Sequence, residues 1–180
     1  MNPYFLVASL PALALGERPG VTKADFLVRA AEQLGAGEMA TLTRVLDGDS
    51  SAGGEAFAAE WRAFDIRLRN ACARQRAARM GVDAVPHLRE PRDGDLMTEA
   101  TVAAAFNARD PLERERALDA IRWAELERLA GFDPFTFRAL LAYALRLDLA
   151  WRWSGMEAGR GRETAARLAG MTQPEPIGTP

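Results

Sequence analysis

Apolar residues recur every three or four positions along most of the chain, and no stretch alternates with the period of two that a strand requires. This spacing predicts an all-α protein. The clearest helix is expected over residues 55–80, with Gly81 as its C-terminal cap. Its apolar face is formed by Phe57, Trp61, Phe64, Leu68, Ala71, Cys72 and Ala78. Shorter helices are predicted over 23–34 with Thr22 as N-cap, over 38–46, and over 98–108.

Two helix-start signals in the C-terminal half predict a helical hairpin. In "DPLERE", Asp110 can cap a helix and Pro111 suits its first position. In "GFDPFTF", Gly131 ends that helix, and Asp133 with Pro134 opens the next. Helices over 111–130 and 134–154 should therefore lie antiparallel across a short turn. Together with the earlier helices they predict a compact helical bundle.

The chain is expected to form one helical domain over residues 1–170, followed by a disordered Pro-rich tail over 171–180. The proline- and glycine-containing connection over 82–96 is the candidate for a hinge between subdomains. A last helix is predicted over 157–169. The opening run "YFLVASLPALAL" is too short to span a bilayer and is interrupted by proline, so we interpret it as part of the core.

Composition and charge exclude several kinds of site but do not identify a function. Of the 180 residues, 48% are hydrophobic and 27% charged, which is typical of a globular protein. The net charge of −2 gives no general attraction to nucleic acid or to anionic lipid. Cys72 and His87 are the single cysteine and the single histidine, so neither an internal disulfide nor a conventional zinc site is expected. A reducing cytoplasm is the simplest compartment.

No motif in the sequence predicts catalysis or a cofactor. "DGDSSAGGEAFAAE" begins like a calcium-binding loop with Asp47 and Asp49, but Ala52 and Ala58 stand where glycine and glutamate are needed. A flexible loop is the better interpretation. A phosphate-binding GxxxxGK[ST] loop is absent, and Ser50 and Ser51 lack the glycines of a nucleophile elbow. A lone histidine in a proline-rich connection, such as His87, is more often structural than catalytic.

The helix over 55–80 is rich in arginine, with Arg62, Arg67, Arg69, Arg74, Arg76 and Arg79. Arg62, Arg69 and Arg76 are seven residues apart and share one face, as they would in a stripe that binds phosphates. Alternatively, these side chains lie over the apolar seam and pair with acids of neighbouring helices. The acidic overall charge and the lack of interleaved aromatic residues favour the second interpretation.

The predicted hairpin places charge where apolar residues are expected. At roughly 100 degrees per residue, Asp119 and Arg122 fall within an arc of leucines, with Trp123 at its edge. Charges inside an apolar arc are costly unless they are paired, so this arc predicts either internal ion pairs or a partner-docking site. Asp119 and Arg122, three residues apart, could pair with each other or across to Arg138, Arg146 or Asp148. We expect both to pair within the chain. The candidates for either role are Asp119, Arg122, Trp123, Arg138, Arg146, Asp148, Trp151 and Trp153.

Three segments resemble a known family. They are "YFLVASLPAL" near the start, "RLRNACARQRAARMGVD" at 67–83, and "PLERERALDAIRWAELERLAGFDPFTFRALLAYALRLDLAWRW" at 111–153. They look like an uncharacterised bacterial family whose genes lie among those for V/A-type rotary ATPase subunits. The opening is also similar to the start of the central-stalk C (or d) subunit of such ATPases. The third segment is the most specific of the three.

The resemblance implies a non-catalytic accessory or central-stalk component with a coupling or assembly role. Its partners would be other ATPase subunits, at the rotor ring or the central shaft, with no nucleic acid and no direct membrane insertion. It would be cytoplasmic and reach the inner membrane only through the complex. This chain is much shorter than C-type subunits and lacks their threefold helical repetition. The alternative is a helical adaptor or nucleic-acid-associated module that uses the arginine face over 62–79.

Overall fold

The computed structural model describes residues 4–48 and 56–154, and all the regular structure within these ranges is helical. The all-α prediction is therefore confirmed. The α-helices are α1 (Tyr4–Ser9), α2 (Lys23–Gln33), α3 (Ala36–Leu46), α4 (Ala56–Met80), α5 (Leu96–Phe106), α6 (Pro111–Ala130) and α7 (Phe137–Ser154). A single 3-10 turn, Val85–His87, lies between α4 and α5. The predicted helix over 157–169 and the tail over 171–180 lie outside the described residues.

Several helix ends follow the predicted local chemistry. The Thr22 hydroxyl accepts a hydrogen bond from the Asp25 amide at 3.0 Å and so caps α2. At the end of α4, Gly81 adopts a φ of 67°, which a side chain would disfavour. The Val82 amide then donates to the Ala77 carbonyl at 3.1 Å, which closes the helix and turns the chain back.

The starts of α3, α5 and α7 differ from the predicted ones by two or three residues. Helix α3 begins at Ala36, because the Glu38 carboxylate accepts from the Gly35 amide at 3.0 Å. Helix α5 begins at Leu96 because the Asp95 carboxylate accepts from the Thr98 amide at 2.8 Å and acts as the N-cap. Helix α7 begins at Phe137 rather than at 134. The Thr136 hydroxyl accepts from the Ala139 amide at 3.1 Å, whereas Asp133 is engaged by the Phe135 amide in the preceding turn.

The core contains two clusters that meet along α4 and α6. The larger one gathers α1, α2, α3 and the start of α4 around α7, whose Leu140, Leu141 and Leu147 are buried. The second cluster joins α4, α5 and α6. Helix α7 thus packs against α2, α3 and α6 of this chain, which cover much of an apolar surface that extends around its girth.

The predicted apolar face of α4 is correct except near its end. Phe57, Phe64 and Leu68 are buried, but Ala78 is exposed and Ala77 is buried instead. The reason is the reversal at Gly81, because the bond from the Val82 amide to the Ala77 carbonyl brings the returning chain over Ala77.

The connection between α4 and α5 runs back along α4 and is bonded to it. The buried Asn70 amide group donates to the Arg89 carbonyl at 2.9 Å and to the Pro91 carbonyl at 3.2 Å. Its oxygen accepts from the Arg89 amide at 2.8 Å. Arg74 adds a bond to the Arg92 carbonyl at 2.6 Å. A hinge over 82–96 stays a prediction, and any such motion would have to break these contacts.

Candidate functional site

The centre of the hairpin holds a fully buried carboxylate. Asp119 of α6 has no exposed surface and accepts from Arg122 Nη1 at 2.7 Å and from Trp153 Nε1 at 2.8 Å. Arg152 of α7 is also bonded to this carboxylate. Since an unpaired charge at this depth would be costly, these donors are what allows an acid among the leucines. Asp119 and Arg122 do pair within the chain.

The partners of Asp119 on α7 differ from those predicted. The candidates for pairing with Asp119 or Arg122 across the hairpin are Arg138, Arg146 and Asp148, whereas the structure has Arg152 and Trp153 on Asp119. Equal distances from Ala130 and Phe137, the residues on either side of the turn, place Asp148 opposite Asp119. Side chains of an α-helix lean towards its own N-terminus, so the Asp119 carboxylate meets side chains that start about one turn further along α7. The helix bounds alone therefore do not identify Arg152 and Trp153 as the partners.

Asp119 belongs to a longer line of alternating charges. Arg122 reaches from Asp119 towards Asp65 of α4, with 4.0 Å between its Nε and Oδ1 of Asp65. Asp65 in turn accepts from Arg69 Nε at 2.5 Å. The line from Arg152 to Arg69 thus crosses α7, α6 and α4, and it ties the two core clusters together electrostatically.

This line of charges borders a cleft of about 520 Å³ between α3, α4, α6 and α7. The cleft is hereafter the central cleft. Its charged lining residues are Arg62, Asp65, Arg69, Arg89, Glu90, Arg122, Asp148 and Arg152. Apolar side chains such as Leu145 and Leu149 form the rest of its wall. The lining therefore carries five guanidiniums and three carboxylates, and its excess charge is positive.

Two of the predicted candidates hold α7 against other helices. Arg138 donates two hydrogen bonds to the Glu60 carboxylate, at 2.9 and 2.7 Å, and also bonds the Leu129 carbonyl. The hydrogen bond from Arg138 holds the pKa of Glu60 below its usual value. Arg146 lies over the ring of Trp123 at 5.5 Å, and burial lowers the pKa of its guanidinium.

The remaining candidates also contact this chain. Trp123 donates from its indole to Glu127 at 3.0 Å. Asp148 accepts from Lys23 of α2 at 2.9 Å. Trp151 donates to the Val21 carbonyl at 2.9 Å. All the candidate residues therefore take part in internal contacts, and a role in binding a partner stays a prediction.

The arginines of α4 are largely engaged by neighbouring groups. Arg67 pairs with Asp95 at 3.2 Å, and Arg74 pairs with Glu99 of α5. Arg79 bonds the Phe106 carbonyl and lies 5.2 Å from the centre of that ring. These contacts agree with the second interpretation of the arginines, in which they pair with groups of neighbouring helices.

The other chemically interesting residues are dispersed. His87 is exposed at the end of the 3-10 turn, and Cys72 is buried, which raises the pKa of its thiol. Asp47 ends α3, and residues 49–55 of the calcium-loop segment, including Ser50 and Ser51, lie outside the described residues. Within 4–48 and 56–154, no three His, Cys, Asp or Glu side chains are grouped to hold a metal ion. None of the described helices is long and apolar enough to cross a membrane.

The sequence did not predict a group of aromatic side chains beside the α6–α7 turn, of which Tyr4, Phe5 and Phe132 are exposed and Phe135 is half-buried. Phe132 is fully exposed in the turn, and Phe5 of α1 is 76% exposed. The Tyr4 ring lies 5.6 Å from that of Phe5 and 4.4 Å from that of Phe135. We call Tyr4, Phe5, Phe132 and Phe135 the aromatic tip. The opening apolar run was predicted to be core, which is correct for Leu6 but wrong for Phe5.

The fold and these contacts define a helical-bundle protein whose buried acid is neutralised internally and whose hairpin ends in exposed aromatic residues. Residues 94–175 match a protein family described as "Protein of unknown function (DUF2764)". In the described structure, the matched segment includes α5 and the α6–α7 hairpin. No curated protein and no solved structure matches the chain. The resemblance to an uncharacterised family therefore has support in this segment, and the family's description assigns no activity to it.

Proposed function

We propose that this protein is a non-catalytic accessory or central-stalk component of a bacterial V/A-type rotary ATPase, with a coupling or assembly role. The observation that carries the proposal is the aromatic tip. It lies at the turn of the α6–α7 hairpin, which is formed by the segment with the most specific resemblance to the ATPase-associated family. Exposed aromatic groups at one end of a molecule are typical of protein-binding surfaces.

The charged residues of the hairpin have a structural role, which leaves the aromatic tip as the binding surface. Asp119, Arg122 and Arg152 are used to hold helices of this chain together. In the central cleft, Asp65 pairs with Arg69, Glu90 with Arg92 and Asp148 with Lys23, which gives no support to a role as general acid or base. We therefore propose docking through the tip, to the rotor ring or the central shaft.

Co-purification tests the proposal directly. The ATPase is isolated from detergent-solubilised membranes of the native bacterium through a tag on a catalytic subunit. We expect the protein in the purified complex in a fixed ratio to the other subunits. Its absence at low salt, with the remaining subunits present, would refute the ATPase assignment.

A variant tests whether the aromatic tip is the docking surface, separately from whether the protein belongs to the ATPase. Phe5→Ser with Phe132→Ser removes apolar area from the aromatic tip without touching the core, since both side chains are exposed. Val28→Ser, on the exposed side of α2, is the matched control. We expect the double variant to be lost from the complex and the control to be retained. Retention of both would show that the tip is not the docking element.

A further inference from the structure

A second concave surface lies along the C-terminal half of α4. It is a groove of about 440 Å³, with α4 as one wall and the returning connection as the other. We call it the basic groove. Its lining residues are Arg69, Asn70, Ala73, Arg76, Ala77, Met80, Val82, His87 and Arg89. Arg69 and Arg89 also line the central cleft, so the two concavities are neighbours.

The far end of the basic groove is apolar and exposed. Met80 is 73% exposed and Val82 is 49% exposed. The small side chain of Ala73, which is half-buried, leaves room beside it on the α4 wall. Large apolar side chains left in water on a concave surface are typical of binding grooves for apolar side chains of a partner.

The rim of the groove carries one sign of charge. Its lining includes three arginines and no Asp or Glu among the described residues. Arg69 already pairs with Asp65. Within 4–48 and 56–154, neither Arg76 nor Arg89 forms a salt bridge, and Arg76 lies 5.9 Å from the Phe106 ring instead. The groove thus offers positive charge that is not neutralised, on a protein whose net charge is −2.

The two walls are fixed relative to each other. Asn70, which is 1% exposed, exchanges three hydrogen bonds with the backbone at Arg89 and Pro91. These bonds hold the connection at a set distance from α4. A groove that already has its bound shape loses little conformational entropy when a partner enters.

We infer that the basic groove binds an acidic amphipathic helix of another protein. Arg69 and Met80 are eleven residues apart, or roughly 16 Å along α4, which matches about three turns of a partner helix. Its apolar face would cover Met80 and Val82, and its flanking carboxylates would reach Arg76 and Arg89. The arginines of the groove favour a negatively charged partner, and its exposed apolar end favours a partner helix with one apolar face.

Single-stranded nucleic acid fits this surface less well. Among the described lining residues there is no Phe, Tyr or Trp on which bases could stack. Exposed Met80 and Val82 would gain nothing from a phosphate backbone. The inference does not rest on the ATPase assignment, because it uses only the shape, charge and exposure of this groove.

Designed peptides provide the probe. One is a helical peptide of roughly 18 residues with leucines at intervals of three and four and glutamates on both flanks. Its matched partner has lysine at every glutamate position. Both carry fluorescein, and binding to the full chain is followed by anisotropy at low and moderate salt. A single-stranded oligonucleotide is titrated in parallel.

Charge-reversal variants locate the binding. Arg76→Glu with Arg89→Glu reverses the unpaired charges of the groove, and Arg29→Glu with Arg109→Glu makes the same change of net charge at exposed positions elsewhere. We expect the groove variant to bind the acidic peptide at least tenfold more weakly than the wild type. The control should stay within about twofold. Circular dichroism checks that both variants are folded.

Methionine methyl NMR on the wild type gives a second, mutation-independent readout. The acidic peptide should shift the Met80 methyl resonance and leave those of Met39 and Met97 in place. Equal binding of the glutamate and lysine peptides would overturn the inference, as would equal weakening in both double variants. Binding of the oligonucleotide alone, lost on reversal of Arg76 and Arg89, would assign the groove to nucleic acid instead. None of these outcomes alters the co-purification result.

Discussion

Removal of the buried carboxylate is the most direct test of how the hairpin is held together. Asp119→Ala leaves Arg122 and Trp153 without their acceptor in a site from which water is excluded. Loss of one partner from a buried ion pair costs roughly 3–5 kcal/mol, because the remaining charge stays desolvated.

The environment of the two arginines decides where in that range the loss falls. The Arg152 side chain is 41% exposed, so water can solvate its guanidinium when Asp119 is gone. The Arg122 side chain is only 18% exposed, but Asp65 lies within 4.0 Å and offsets part of the penalty. We therefore expect a loss near the lower end, about 3 kcal/mol. Asp119→Asn, which keeps one oxygen for the indole of Trp153, should cost about 2 kcal/mol.

The assay is urea denaturation followed by far-UV circular dichroism. This signal is preferable to fluorescence, because Trp153 donates to the altered side chain and its emission could change without unfolding. Glu115→Ala, at an exposed position one turn earlier on α6, is the matched control and should stay within about 0.5 kcal/mol of the wild type. If Asp119→Ala unfolds within about 1 kcal/mol of the wild type, the buried ion pair does not hold α6 to α7.

Three further predictions concern a cap, a phenol and the core. Hydrogen bonding from Thr98 lowers the pKa of Asp95. The ionised Asp95 carboxylate therefore stabilises the fold above its unfolded pKa of about 3.8, and this stabilisation is lost as pH falls through the folded pKa. In urea titrations, Asp95→Ala should cost about 1 kcal/mol at neutral pH and progressively less in acid. Burial raises the pKa of Tyr143 to about 12, so the contribution of the neutral phenol to stability should be lost as pH rises from about 10 to 12. The Tyr143→Phe variant lacks the phenol and its bond to the Pro11 carbonyl, so its thermal unfolding should be less sensitive to pH over that range. Leu126 is fully buried, and Leu126→Ala should lower the free energy of unfolding by about 3 kcal/mol in the same denaturation assay.

The helices were predictable wherever the spacing of apolar residues and the capping residues indicate the same bounds. Thr22, Gly81 and Pro111 mark helix ends that the structure has where the sequence predicts them. The start of α7 was not, because Asp133 and Thr136 are both suitable caps and the sequence does not say which one the backbone uses. Only the hydrogen bond from the Ala139 amide decides between them.

The candidate sites show the same limit at the level of packing. The angular position of Asp119 predicts that it needs a partner, but the identity of that partner depends on the register of α6 against α7. The aromatic tip was missed because an apolar run does not reveal which members point inward, as Leu6 does and Phe5 does not. The basic groove depends on the path of the chain after Gly81, which no periodicity encodes.

The bonds of Asp119 also affect how the hairpin opens. Terminal turns of helices ordinarily fray, and their amides exchange with solvent quickly. The last turn of α7 carries Arg152 and Trp153, and both are bonded to a carboxylate in the middle of α6. Fraying of that turn alone would remove two donors from a buried charge. The end of α7 is therefore coupled to the middle of α6, and its amides should exchange only when the hairpin as a whole separates.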